Sequence, residues 1–265
     1  MPPSAALGPG RTAVVTGAAA GIGRAIVRAL TGRGMNVVLA DRDAEKLDEA
    51  VRELGEGVRG VVCDVADGDA VAGLREAALH AFGRVDILCS NAGVVAPFAP
   101  IWAHDEQSWK RVLDVNLWGV IHGMRAFVPH FVAQGHGHLV NIASMAGVTT
   151  IPFNGIYNAS KHAVVSLTET LAAELEELAP GVGATVVCVG RVATGIGEEQ
   201  RAQSSGMFVP REREGVARST LVLDADRVAA MVIDAIEARR LHLFTHPDAR
   251  PRMQARIDRL LMDLV

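Results

Sequence analysis

The chain has 265 residues, of which 49% are apolar and 21% charged, with a formal net charge of −4. That composition excludes a disordered or fibrous chain, and without a basic excess nucleic-acid binding is not expected. Three scattered cysteines exclude a disulfide framework, and no apolar run approaches the ~20 residues of a spanning helix, so no membrane partner and a cytoplasmic location are expected.

The first eleven residues read as a loose tail, and residues 12–265 as one domain. Residues 12–16 (TAVVT) are a β-branched run that predicts a strand. Residues 21–32 carry Ile22, Ile26, Val27 and Leu30 at helical spacing. A strand at 36–40 and a charged helix at 43–54 follow, then a strand at 58–63. Asp67 is placed to cap a helix over 67–82. A strand at 85–89 precedes one long helical stretch from about 106 to 134. Residues 138–143 read as a strand, 155–178 as a helix stopped by Pro180 and Gly181, and 183–189 as a strand. The polar stretch 195–220 reads as a substrate loop with short helices. A helix at 224–239, a strand at 241–245 and a last helix at 253–264 complete the chain. Apolar strands alternating with helices imply a parallel sheet covered on both faces. The expected fold is therefore a doubly wound, Rossmann-type α/β domain of roughly seven strands.

The first strand runs into Thr16-Gly17-Ala18-Ala19-Ala20-Gly21-Ile22-Gly23 and then a helix. Glycines at such a turn let backbone approach a pyrophosphate, and the helix N-terminus supplies N–H groups. Gly17, Ala20, Gly21, Ile22 and Gly23 are the candidate phosphate-loop residues. Asp41 closes the second strand, where a carboxylate accepts from ribose hydroxyls and repels a 2′-phosphate, which favours NAD over NADP. Arg42 beside it pulls the other way. Asp64 and Val65 follow the third strand, where the adenine edge would lie; a simple loop cap is the competing reading of Asp64.

Tyr157 and Lys161 form an i, i+4 pair at the start of a helix, and Ser144 lies just past the fifth strand. Tyr157 is the single tyrosine, and Lys161 is one of three lysines among 26 basic residues. A phenol is a weak base near neutral pH, an adjacent ammonium favours its phenolate, and a neighbouring hydroxyl steadies a developing alkoxide. This is the chemistry of proton transfer coupled to hydride transfer at a secondary alcohol or ketone.

With these residues in order, the chain resembles the classical short-chain dehydrogenase/reductase family over nearly its whole length. The matching pieces are TGAAAGIG (16–23), CDV (63–65), SNAG (90–93), Asn116 in DVNLWG, Ser144 and YNASK (157–161). The stretch LHLFTHPDARP (241–251) looks like a branch that includes dehydrogenases of bulky aryl-substituted alcohols. The resemblance implies that Tyr157 is the general acid or base, that Lys161 tunes it and bonds the nicotinamide ribose, and that Ser144 polarises the substrate oxygen. It implies that Asn116 holds a proton-relay water, and that Asn91, Ala92 and Gly93 line the cofactor channel. Gly190, Val192 and Thr194 would meet the nicotinamide. The family usually has proline at the position of Val189, so that wall of the pocket departs from its pattern.

The expected substrate walls include Val95, Met145, Phe153, Val189, Arg191, Met207 and Phe208. Most are apolar, which suits a hydrophobic secondary alcohol or ketone; Arg191 leaves room for a polar or anionic substituent. No metal is expected, since His136 and His138 have no companion at ligand spacing. The resemblance implies a homotetramer, or at least a dimer, built through the 106–134 and 155–178 helices. Two alternatives stay open at this point: an NADP-dependent 3-oxoacyl-type reductase, and a non-catalytic nucleotide-binding regulator on the same fold.

Overall fold

A computed structural model describes residues 4–204 and 221–264. Its strands are β1 (Thr12–Thr16), β2 (Asn36–Asp41), β3 (Val58–Val62), β4 (Ile87–Ser90), β5 (Gly137–Ile142), β6 (Val182–Cys188) and β7 (His242–Phe244). All pair in parallel, in the order β3-β2-β1-β4-β5-β6-β7. The order reverses at β1, which pairs with β2 on one side and β4 on the other. That switch point opens a crevice at the carboxyl ends of the strands.

The helices are α1 (Gly21–Thr31), α2 (Ala44–Leu54), α3 (Gly68–Phe82), α4 (Glu106–Leu113), α5 (Gly119–Gln134), α6 (Gly155–Leu178), α7 (Gly195–Gln203), α8 (Ala225–Glu237) and α9 (Arg250–Met262). Four of them open on an aspartate that accepts from a first-turn N–H: Asp43, Asp67, Asp105 and Asp224. Because side chains alternate along a strand, neighbours feed opposite cores. Val15, Leu39 and Val140 pack with Ile26, Leu47 and Ile233 from α1, α2 and α8. Val14, Val38 and Leu139 pack with Leu74, Phe127 and Leu175 from α3, α5 and α6.

Three expectations change. The helix expected over 106–134 is broken by a π-helical turn at Asp114–Trp118, and Pro129 is accommodated inside α5. A π turn inserts one extra residue per turn, so it has no periodicity signature strong enough to read from sequence. The N-terminal stretch is not loose from Ser4 onward: Ala6 is 1% exposed, and the Ser4 N–H donates to the Glu237 carbonyl. The final helix starts at Arg250, three residues before its apolar pattern becomes regular.

Beneath the sheet, Asp86 is fully buried and gathers Arg11, Arg84, His136 and the Thr12 N–H. Burial pushes its carboxyl up, but the Arg84 hydrogen bonds and their companions outweigh it and hold the group below the usual carboxylate range. His136 is therefore part of an ion cluster. Among the described residues no three His, Cys, Asp or Glu side chains gather as a metal site. None of the described helices is long and apolar enough to cross a membrane.

Candidate active site

A cleft of about 1170 Å³ lies along the carboxyl ends of the strands. Its floor at one end is the β1–α1 loop. Gly17 and Gly21 adopt φ values of +61° and +55°, a region that side chains rarely enter. A Cβ at Gly17 would stand 2.8 Å from Ala92 Cα. The N-cap of α1, Ala20, offers no side-chain acceptor, so the first-turn N–H groups face the cleft uncapped. This cradle fits a pyrophosphate, with Gly17, Ala20, Gly21 and Ile22 lining it. Gly23 does not line the cleft; it lets α1 pack on the Gly17 carbonyl and the Asn91 amide.

Asp41 lines the cleft from the end of β2, with Arg42 beside it. The Asp41 carboxylate accepts from the N–H groups of Ala19, at 3.1 Å, and Asp43, at 3.1 Å. It thereby ties the phosphate loop to β2. Asp64 and Val65 line the next stretch, and the Asp64 carboxylate accepts from Ala66 N–H at 3.0 Å. After β4, the Asn91 amide donates to the Thr16 and Gly17 carbonyls, and the Thr16 hydroxyl accepts from the N–H groups of Asn91 and Ala92. Thr16 was not a candidate in the sequence. Its importance comes from the parallel neighbour β4, 75 residues away in the chain.

Ser144, Tyr157 and Lys161 come together on the same wall, which Gly93, Val95, Met145 and Val189 continue. Ser144 Oγ accepts from Ala146 N–H at 3.1 Å and donates to the Val189 carbonyl at 3.3 Å. Lys161 Nζ lies 5.7 Å from the Tyr157 ring centre and donates to the Ile142 carbonyl at 2.9 Å. Burial lowers the Lys161 ammonium to about 8. Burial also raises the Tyr157 phenol above its ordinary value, with the Ser144 hydroxyl pulling it partly back. The sequence expectation is that Lys161 lowers Tyr157; in the protein alone, desolvation of the phenolate is the dominant influence and raises it.

Asn116 is buried in the π-helical turn and does not line the cleft. Its amide exchanges two bonds with the Val94 backbone, at 2.8 and 2.9 Å, and donates to Ser160 Oγ at 3.2 Å. It fastens the strip after β4 to α6, the helix carrying Tyr157 and Lys161.

The chain leaves β6 through Val189, Gly190, Arg191, Val192 and Thr194, all on the cleft. Thr194 crosses to the phosphate loop, where a Cβ at Gly21 would meet its methyl at 3.3 Å. Above this, Gln200 of α7 donates to the Ala96 carbonyl and to Asn154 Oδ1. Phe153 is not a wall residue; Ile151 and Asn154 are, while the Phe153 carbonyl accepts from Ala99 N–H at 3.0 Å. Met207 and Phe208 lie outside the described residues. Ala249, in the turn just before α9, and Arg252 within α9 add a wall that sequence pattern did not suggest.

The family model for short chain dehydrogenase matches residues 11–205. The chain belongs to the short-chain dehydrogenase family. It is 37% identical over 247 residues to a 1-deoxy-11-beta-hydroxypentalenate dehydrogenase of Streptomyces avermitilis, covering 91% of this chain and 87% of that protein. A cis-4-hydroxycyclohexanecarboxylate dehydrogenase of Sinomonas cyclohexanicum is 35% identical over 237 residues, covering 86% and 94%. A short-chain dehydrogenase/reductase of Burkholderia phymatum, solved in complex with NAD, superposes with a TM-score of 0.86 at 38% identity, over 97% of this chain and 95% of that one. This chain is an NAD(P)-dependent oxidoreductase that interconverts a secondary alcohol and its ketone. The expectation of a non-catalytic regulator is set aside.

Proposed function

We propose that this short-chain dehydrogenase acts on a hydrophobic, ring-bearing alcohol or ketone and prefers NAD(H) to NADP(H). The observation that carries the reading is the convergence of Ser144, Tyr157 and Lys161 on one wall of a cleft whose far end is a phosphate cradle. The bound nicotinamide would supply or take up hydride at the carbinol carbon. Gly17, Gly21, Ile22, Asp41, Val65 and Thr194 would hold that cofactor.

In ketone reduction the Tyr157 phenol gives its proton to the developing alkoxide oxygen, and the Ser144 hydroxyl, turning from the Val189 carbonyl, donates a second hydrogen bond to the same oxygen. The raised Tyr157 pKa keeps the phenol protonated at neutral pH, which suits it as the acid. Alcohol oxidation runs the proton back to Tyr157 and so gains as pH rises. Lys161, anchored on the Ile142 carbonyl, holds a cation or polar donor next to the ring. Asn116 supports this wall from behind. Tyr157→Phe is expected to lower kcat by about 100-fold or more while NADH binding holds. A variant with near-wild-type turnover would remove Tyr157 from the proton path.

The NAD preference is supported by the Asp41 carboxylate, oriented by two backbone donors beside the cradle. Arg42 beside it is what favours the NADP-dependent reading. Apolar walls from Val95, Met145, Ile151 and Val189 favour a bulky hydrocarbon frame. Arg191 and Arg252 add cationic groups, which suits a carboxylate-bearing ring; the Streptomyces and Sinomonas relatives are named for such acids.

We also read the protein as a cytoplasmic homotetramer, or at least a dimer. Three buried free thiols fit a reducing compartment. Val164, Val165 and Leu175 of α6 are buried within one chain, while Trp102, Trp118, Leu260 and Leu261 stand exposed. A monomeric mass by light scattering at micromolar concentration would refute the assembly.

A further inference from the structure

Just beyond β7, Thr245 and His246 turn inward beneath the exit loop of β6, and both are buried, His246 to 1% exposure. The Gly190 N–H lies 3.2 Å from Thr245 Oγ1 and 3.2 Å from His246 Nδ1. Thr245 Oγ1 is 2.7 Å from the same Nδ1. The other ring nitrogen, Nε2, is 3.0 Å from the Arg191 carbonyl oxygen. A carbonyl only accepts, so Nε2 carries the proton. Nδ1 lies within hydrogen-bond distance of the Thr245 hydroxyl and the Gly190 N–H, so both ring nitrogens are engaged.

The ring also lies flat against Gly190, where any Cβ would collide with it. One residue back, the Val189 carbonyl accepts from Met145 N–H at 2.8 Å and from Ser144 Oγ at 3.3 Å. On the far side, the Arg191 carbonyl accepts a second bond from Leu223 N–H at 3.0 Å. The imidazole thus grips the N–H of the Val189–Gly190 peptide, whose own carbonyl meets Ser144 Oγ, and the carbonyl of the Arg191–Val192 peptide. Valine at 189 leaves this turn without the φ constraint of a proline ring, so contacts alone hold its shape.

We infer that His246 is a positioning residue for the reaction: its imidazole holds the Gly190 N–H and the Arg191 carbonyl, and through the Val189 carbonyl of the Val189–Gly190 peptide sets Ser144 Oγ and the wall facing the ketone. The inference rests on the activity proposed above. A histidine that merely completes the core would give the same burial, so the test must read more than stability.

The test uses the full chain with three substitutions. His246→Phe removes both bonds, His246→Asn keeps an acceptor near the Nδ1 position, and His246→Gln keeps a donor near the Nε2 position. Each is combined with Ser144→Ala. The measurements are thermal midpoint, NADH dissociation constant, and kcat and KM for a small and a bulky ketone. His246→Phe is expected to lower kcat by about tenfold and to change the ratio between the ketones, with NADH affinity within about threefold of wild type. Asn and Gln should each restore part of kcat. In the Ser144→Ala background the loss should largely vanish, because both changes act on one hydroxyl. If the Phe variant does not fold, the Asn and Gln pair carries the same comparison. Folded variants with wild-type kcat and ketone ratio, or with losses that simply add to that of Ser144→Ala, would overturn the inference. A wild-type protein that reduces no ketone with either cofactor would instead overturn the activity reading.

Discussion

Acid is expected to destabilise this protein through one buried histidine, His138 in β5. Its Nε2 lies 2.8 Å from Thr185 Oγ1, and that hydroxyl donates its own proton to the Arg240 carbonyl at 2.7 Å. Nε2 must therefore be the protonated nitrogen. Nδ1 is buried without a partner and faces Gly183, where a Cβ would stand 2.5 Å away. Burial, helped by the nearby Arg239 charge, lowers the His138 pKa from 6.5 to about 3. The native ring stays neutral while the unfolded chain takes up a proton below 6.5. The stabilisation is thus complete above pH 6.5 and is lost as pH falls from there toward 3. At about 1.4 kcal/mol per pH unit, two units below 6.5 remove about 3 kcal/mol. That is a large part of a typical folding free energy of about 5–15 kcal/mol. His138→Gln retains an amide donor for Thr185 but does not titrate. Urea unfolding of both proteins at several pH values from about 7.5 to 4.5 isolates this residue, since every carboxylate is common to the two. Wild type should lose about 3 kcal/mol more than the variant over the acidic part of the range. Parallel pH curves would refute the reasoning, by showing that the native ring is protonated or hydrated.

Two further outcomes concern the cleft. Asp41→Ser should narrow or invert the NAD(H) preference, with Arg42 then meeting a 2′-phosphate without opposition; a wild-type enzyme that favours NADPH by about tenfold, or about 1.4 kcal/mol, would contradict it. Val189→Pro should alter the kcat/KM ratio between a small and a bulky ketone more than the NADH dissociation constant, because Val189 lines the cleft beside Ser144. A sharp fall in NADH affinity at a constant ketone ratio would make position 189 a cofactor contact instead.

Local rules were enough to read the alternation of seven parallel strands with helices, since β-branched runs, aspartate caps and glycine turns act within a few residues. They also singled out the β1–α1 glycine turn, Asp41 and the Ser144, Tyr157 and Lys161 set, which the fold brings to one cleft, because these motifs sit at strand ends or on one turn of a helix. The order of the sheet decided the rest. Parallel pairing brings Thr16 beside Asn91, and β7 beside β6, so that His246 grips Gly190 across 56 residues of chain. No periodicity encodes such a contact, and none announces the π turn that sinks Asn116 into the wall behind Val94. The protonation behaviour of Tyr157, Lys161 and His138 likewise belongs to the fold alone. A residue's type supplies its ordinary pKa, but the sign of the shift depends on burial and partners that exist only once distant segments have packed together.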